Sequence, residues 1–218
     1  MYTINLSDVP RFDLTNARTF IDFWSQLYRG DDTMALGTKE PIDYFAELNV
    51  ASNLTEENVH RLLRWKDPHK LTHRILSGPN EGQNNPRVAR VLGSLDILNQ
   101  FRNFRISEAE VKRAVEQVFQ SGIVWNAFLL HIAKPHVYPI ADQNVFRAWK
   151  HHMGAKDEQT WQTYSQYCDY FGQIAKAAGV DRTMTVETIH KLKRIDDALF
   201  VFGQFLRDYY EPFVATGV

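Results

Sequence analysis

The sequence predicts an all-α protein, and three observations carry that reading. Apolar residues recur at helical spacing through most of the chain. Helix-starting signals stand in front of several of those segments. No stretch alternates apolar and polar residues for long enough to seed a sheet.

In chain order, segment 16–29 places Phe20, Phe23, Trp24 and Leu27 on one face. Segment 55–66 opens at Thr55, with Glu56 and Glu57 in its first turn, where the helix dipole favours acids. Segment 86–102 begins at Pro86, whose missing N–H costs nothing in a first turn, and carries Val88, Val91, Leu92, Leu95 and Leu98. Segment 107–120 starts with a capping box, Ser107 and Glu110. Segment 122–133 is apolar nearly all round and reads as a buried central helix. Segment 142–152 follows an extended link, Val137-Tyr138-Pro139-Ile140; segments 157–178 and 184–209 are long and amphipathic. Chain breakers gather at 30–40 and at 77–86, and the second loop marks a candidate boundary between lobes.

The totals set limits. With 218 residues, 44% hydrophobic and 23% charged, the chain suits one large domain or two lobes sharing a core, not a disordered polymer. A single cysteine, Cys168, excludes an internal disulfide and a four-cysteine zinc or iron–sulfur centre, and makes the cytoplasm the natural compartment. The N-terminus lacks the charged start and apolar run of a signal peptide, so the sequon at Asn53 is not expected to be glycosylated. No apolar run approaches the ~18 residues that cross a membrane.

The net charge of −1 hides an asymmetry: residues 1–58 carry −6, residues 59–153 carry +7 and residues 154–218 carry −2. A basic middle third in a nearly neutral chain points to a polyanionic partner.

The chemistry-bearing stretch runs from Ser121 to Trp149. A buried helix ends near Lys134-Pro135, the extended link follows, and Asp142 stands at the head of a new helix. An aspartate there accepts bonds from the open N–H groups of the first turn and sits at the positive end of the helix dipole, and both effects favour its charged form. By itself such a residue is more often a plain helix cap than a catalyst.

The order of features around it resembles the helix-hairpin-helix DNA glycosylases. In that family a hairpin ending in glycine leads to a buried helix, an extended link and a catalytic aspartate heading the next helix. Ile140-Ala141-Asp142-Gln143-Asn144-Val145-Phe146-Arg147 looks like that aspartate motif, and Gly122, 20 positions earlier, looks like the last hairpin glycine. The hairpin departs from the family's Leu-Pro-Gly-Val-Gly pattern, reading Val118-Phe119-Gln120-Ser121-Gly122. Val124 stands where bifunctional members carry a nucleophilic lysine, so the resemblance implies a monofunctional enzyme that uses water. It implies a two-lobed fold with a central cleft: an N-terminal helical lobe at 1–84, a helix-hairpin-helix and catalytic lobe at 85–155, and C-terminal helices at 156–218 packing back on the first lobe. It implies no cofactor and no metal. The partner would be double-stranded DNA with one nucleotide flipped out, held by a monomer.

Several other residues are candidates with open alternatives. Arg61, Arg64, Lys66, Lys70 and Arg74 form a basic run that suits phosphate contact or a solvated helix face, and Trp65 within it suits base stacking or the core. Gln143 and Asn144 could face a sugar, a phosphate or the base, or simply supply first-turn polarity, and Arg147 suits packing or a phosphate. Trp125, Asn126 and Phe128 follow Gly122 on a helix expected to line the pocket. Asn99, Arg102, Asn103 and Arg105 form a polar-basic cluster suited to DNA contact or to a helix end. His69 and His73 have metal-ligand spacing without a carboxylate partner, and His151-His152 reads as a surface pair.

The expected activity is therefore excision of a modified or damaged base, in DNA repair or in defence against phage DNA. The rival readings are an inactive helical DNA-binding module and a helical protein-interaction domain.

Overall fold

A computed structural model describes residues 12–29, 42–67, 71–119, 122–154 and 160–210. Among these, every regular element is helical, and the only β pairing is an isolated bridge between Arg74 and Asn84. The helices are α1 (Ala17–Ser25), α2 (Tyr44–Leu48), α3 (Glu56–Lys66), α4 (Pro86–Gly93), α5 (Leu95–Arg102), α6 (Glu108–Val118), α7 (Ile123–Ala133), α8 (Gln143–Met153), α9 (Trp161–Ala177) and α10 (Val186–Phe205). No described helix is long and apolar enough to cross a membrane.

The chain divides into two compact units. The first gathers the described residues of Met1–Arg29, Pro139–Thr183 and His190–Val218; the second gathers those of Gly30–Tyr138 and Met184–Ile189. The first unit therefore contains α1, α8, α9 and most of α10, and the second contains α2 to α7.

The first unit packs around aromatic side chains. Phe20 and Trp24 of α1 meet Phe202 of α10 at ring-centre distances of 5.3 and 5.1 Å. Phe146 and Trp149 of α8 lie against Tyr167 of α9 at 5.5 and 6.3 Å. Burying each of these rings is worth about 1.5–3 kcal/mol. His152 joins this core, stacked between Phe12 and Phe202 at 4.8 and 4.9 Å, with Nδ1 2.5 Å from the Tyr170 hydroxyl. The sequence made His151-His152 a surface pair; His151 is exposed, but helical rotation turns His152 inward.

The second unit is built around α7. Every residue from Asn126 to Ala133 is buried, as expected of a helix apolar on all sides. α6 opens with the expected capping box: the Ser107 hydroxyl accepts from the Glu110 N–H, and the Glu110 carboxylate accepts from the Ser107 N–H. Thr55 caps α3 in the same reciprocal way, with Asn58 as its partner. The 77–86 loop lies inside this unit, its stem closed by Ile75 N–H to Gln83 O and Asn85 N–H to His73 O, at 3.0 and 2.7 Å.

Three expectations change. The 86–102 helix is two helices, because the chain breaks at Gly93-Ser94; glycine weakens the helix and the Ser94 hydroxyl donates back to the Arg90 carbonyl. Of the four residues expected on one face at 16–29, Phe20 and Trp24 are buried, together with Ala17 and Ile21, while Phe23 and Leu27 are 45% and 51% exposed; the buried face runs through 17, 20, 21 and 24, and Leu27 lies beyond the end of α1 at Ser25. The short α2 was not anticipated; Asp43 starts it by accepting from the Phe45 and Ala46 N–H groups. Lys70, His69, Gln120 and Ser121 lie outside the described residues.

Candidate active site

Asp142 is the N-cap of α8. Its backbone is extended (φ −154°, ψ 177°), and Oδ1 accepts from the N–H groups of Asn144 and Val145 at 2.7 and 3.0 Å. Two amides thus fix one carboxylate oxygen, and the side chain is half-buried. Gln143 is exposed on the same turn, and Asn144 accepts through Oδ1 from Arg147 at 3.1 Å. Asp142, Asn144 and Arg147 therefore form one connected group.

Its foundation comes from α9 and α10. Tyr164 of α9 is buried and donates to the Pro139 carbonyl at 2.8 Å, tying down the link that delivers Asp142. Tyr167, one turn further along, is fully buried, and its hydroxyl makes no hydrogen bond among the described residues. Burial, then Asp196 and Asp142 facing it, push its pKa far up, so it stays a neutral O–H. Behind it, Lys193 of α10 pairs with Asp196 at 3.3 Å and with Asp197. Burial opposes the Lys193 charge, but the two carboxylates and the Tyr28 ring, 4.4 Å away, hold its pKa above the ordinary value.

Gly203 of α10 completes this arrangement. A Cβ there would lie 2.0 Å from the Asn144 backbone oxygen, so only glycine lets α10 cross the first turn of α8. Tyr164, Tyr167, Lys193, Asp196 and Gly203 were not singled out in the sequence. The visible signals were Gly203, which sits inside an apolar helical stretch where glycine costs about 1 kcal/mol, and Lys193 spaced three and four residues from two aspartates.

The remaining candidates belong to the second unit. Gly122 precedes α7 with φ −133° and ψ 88°, a conformation open to any residue; a Cβ there would meet Trp125 Cδ1 at 3.3 Å. Trp125 is half-buried and stacks on Phe119 at 5.7 Å. Asn126 is buried, donates from Nδ2 to the Phe119 carbonyl at 3.0 Å, and its Oδ1 has no hydrogen-bond partner among the described residues. Trp65 lies between Tyr44 and Phe128, at 4.5 and 6.4 Å, and Lys66 places Nζ 5.6 Å from the Phe128 ring centre. Trp65, Lys66 and Trp125 thus share one aromatic cluster around Phe128.

Arg102 is placed as a structural residue. It is 7% exposed, and its guanidinium donates to the carbonyls of Ile132, Leu48 and Asn49 at 3.1, 2.9 and 2.6 Å. Burial pulls its pKa down to about 10, so it remains charged at neutral pH. His73 does have an imidazole neighbour, but it is His60, stacked at 3.4 Å. No group of three or more metal-ligating side chains occurs among the described residues.

No family model, no curated protein and no solved structure matches this chain.

Proposed function

We propose that this chain is a DNA glycosylase of the helix-hairpin-helix kind, which hydrolyses the N-glycosidic bond of an extruded nucleotide with Asp142 as its catalytic carboxylate. The observation that carries the reading is the succession α6, Gly122, the buried α7, a short connection that turns at 135–137, and Asp142 capping α8 with one oxygen fixed by two amides. The basic 59–153 stretch supports DNA as the partner. The two-lobed fold with a cleft for duplex DNA belongs to the same reading.

The chemistry follows from charge. The C1′–N bond breaks and its electron pair leaves with the base, so positive charge builds on the sugar, as in glycoside hydrolysis. A carboxylate held at that sugar stabilises the cation and takes the proton of the water whose oxygen bonds to C1′. With Oδ1 held by amides, Oδ2 is the oxygen assigned to that task. The base must leave the stack to bring its sugar within reach. Val124, an aliphatic residue, cannot form a Schiff base, so the product is an abasic site with an intact strand.

The test is alkali-labile strand breakage in duplexes carrying damaged or phage-type modified bases. The reading expects breaks after alkali, and none without it, on at least one substrate. Absence of breaks on every substrate, together with salt-insensitive gel shifts, contradicts it.

A further inference from the structure

The first unit holds a concavity whose lining does not include Asp142. Arg18, Ile21 and Asp22 of α1, Ala178, Gly179 and Val180 after α9, and Lys191, Arg194 and Ile195 of α10 line a cavity of about 310 Å³. Three cations face it against one carboxylate, and aliphatic side chains supply its floor.

Arg18 is held in place before any ligand arrives. Its Nε donates to the Ala178 carbonyl at 3.1 Å, which caps the end of α9. A terminal nitrogen rests against Gly179, where a Cβ would come within 2.8 Å. Gly179 has φ +74°, so it supplies both the left-handed turn and the room for the guanidinium. Arg194 pairs with Asp22 at 2.6 Å in an exposed ion pair on the rim of the cavity. Lys191 is exposed on the same cavity. An arginine anchored on a neutral carbonyl, as Arg18 is, loses less freedom on binding, and guanidinium matches the oxygens of a phosphate group.

We propose that this cavity is a phosphate-ester site, taking one phosphate between Arg18, Lys191 and Arg194 and the body of a compact ligand of nucleotide size against Ile21, Val180 and Ile195. The volume stands at the lower end of small-molecule pockets, which matches a mononucleotide and not a larger cofactor. This site does not depend on Asp142 or on the glycosylase reading.

The test is calorimetric titration of the full chain with dAMP, deoxyadenosine and inorganic phosphate. Saturable binding of dAMP, competition by phosphate, and no binding of deoxyadenosine are expected. Lys191→Glu keeps the melting temperature and loses at least about tenfold in dAMP affinity, as expected when one charged phosphate contact is reversed. A dinucleoside monophosphate, whose only phosphate is a diester, separates two sources of the same chemistry. Weaker binding than dAMP assigns the site to a free phosphomonoester, and equal binding assigns it to a nucleic-acid backbone. Failure of dAMP and phosphate to bind, equal binding of deoxyadenosine, or unchanged affinity in Lys191→Glu overturns the proposal.

Discussion

Gly203 and Asn144 meet where no side chain fits: a Cβ on the glycine would fall 2.0 Å from the asparagine's backbone oxygen. The first turn of α8, and Asp142 with it, is therefore set by the path of α10. Gly203→Ala must push that turn away and is expected to cost about 1–3 kcal/mol, the usual range for overpacking. Urea unfolding measures it; a midpoint equal to the parent's would show that the two helices separate freely.

Arg102 tests a different assignment. Its three carbonyl partners come from three separate positions in the second unit, Leu48, Asn49 and Ile132. Arg102→Met strands them and is expected to cost about 2–4 kcal/mol in urea unfolding. The variant that still folds should bind duplex DNA with the parent's salt dependence, because the guanidinium never faced a phosphate. A reduced salt slope would return Arg102 to the DNA-contacting set.

One buried and one half-buried histidine predict acid sensitivity. Burial, then His73 and Arg64, lower His60 to a pKa of about 4. Burial, then His151, lower His152 to about 3. The unfolded chain takes up these protons near the ordinary histidine value of about 6.5, while the folded protein does not. Their contribution to stability is therefore complete above about pH 6.5 and is lost progressively as pH falls toward 4 and 3. Each should remove up to about 2 kcal/mol between pH 7 and 4.5. Unfolding series at both pH values measure this, and His152→Phe should flatten the dependence relative to the parent.

Tyr164→Phe removes the hydroxyl that holds the Pro139 carbonyl while keeping the ring in the core. The expected loss of stability is about 1–2 kcal/mol. On the glycosylase reading, turnover should fall more than DNA affinity, because the link that delivers Asp142 loosens while the binding surface stays. Equal losses in both would make Tyr164 a packing residue only.

Much of the helical framework was legible because local signals act within one or two turns. Ser107 with Glu110, Thr55, Pro86 and the apolar run 123–133 each announce a helix by chemistry complete within the segment. The break at Gly93-Ser94 was legible in principle, yet the apolar period runs straight through it. The candidate site was legible at Asp142, Asn144 and Arg147, which share the first turns of one helix. What lies behind Asp142 was not, because Tyr164, Tyr167 and Gly203 reach it across long sequence separations that no periodicity encodes. Arg102 shows the converse: its basic, polar neighbours suggested a surface role, and only the fold shows that it donates to three carbonyls, those of Leu48 and Ile132 being buried.

The most direct measurement compares the parent with Asp142→Asn by mass spectrometry of free bases released from damaged and phage-modified duplexes. Asparagine caps a helix about as well as aspartate, so folding is retained while the negative charge is removed. The account predicts release of a base by the parent and none by the variant, at equal thermal stability and similar DNA affinity. Release by both proteins at the same rate would contradict it.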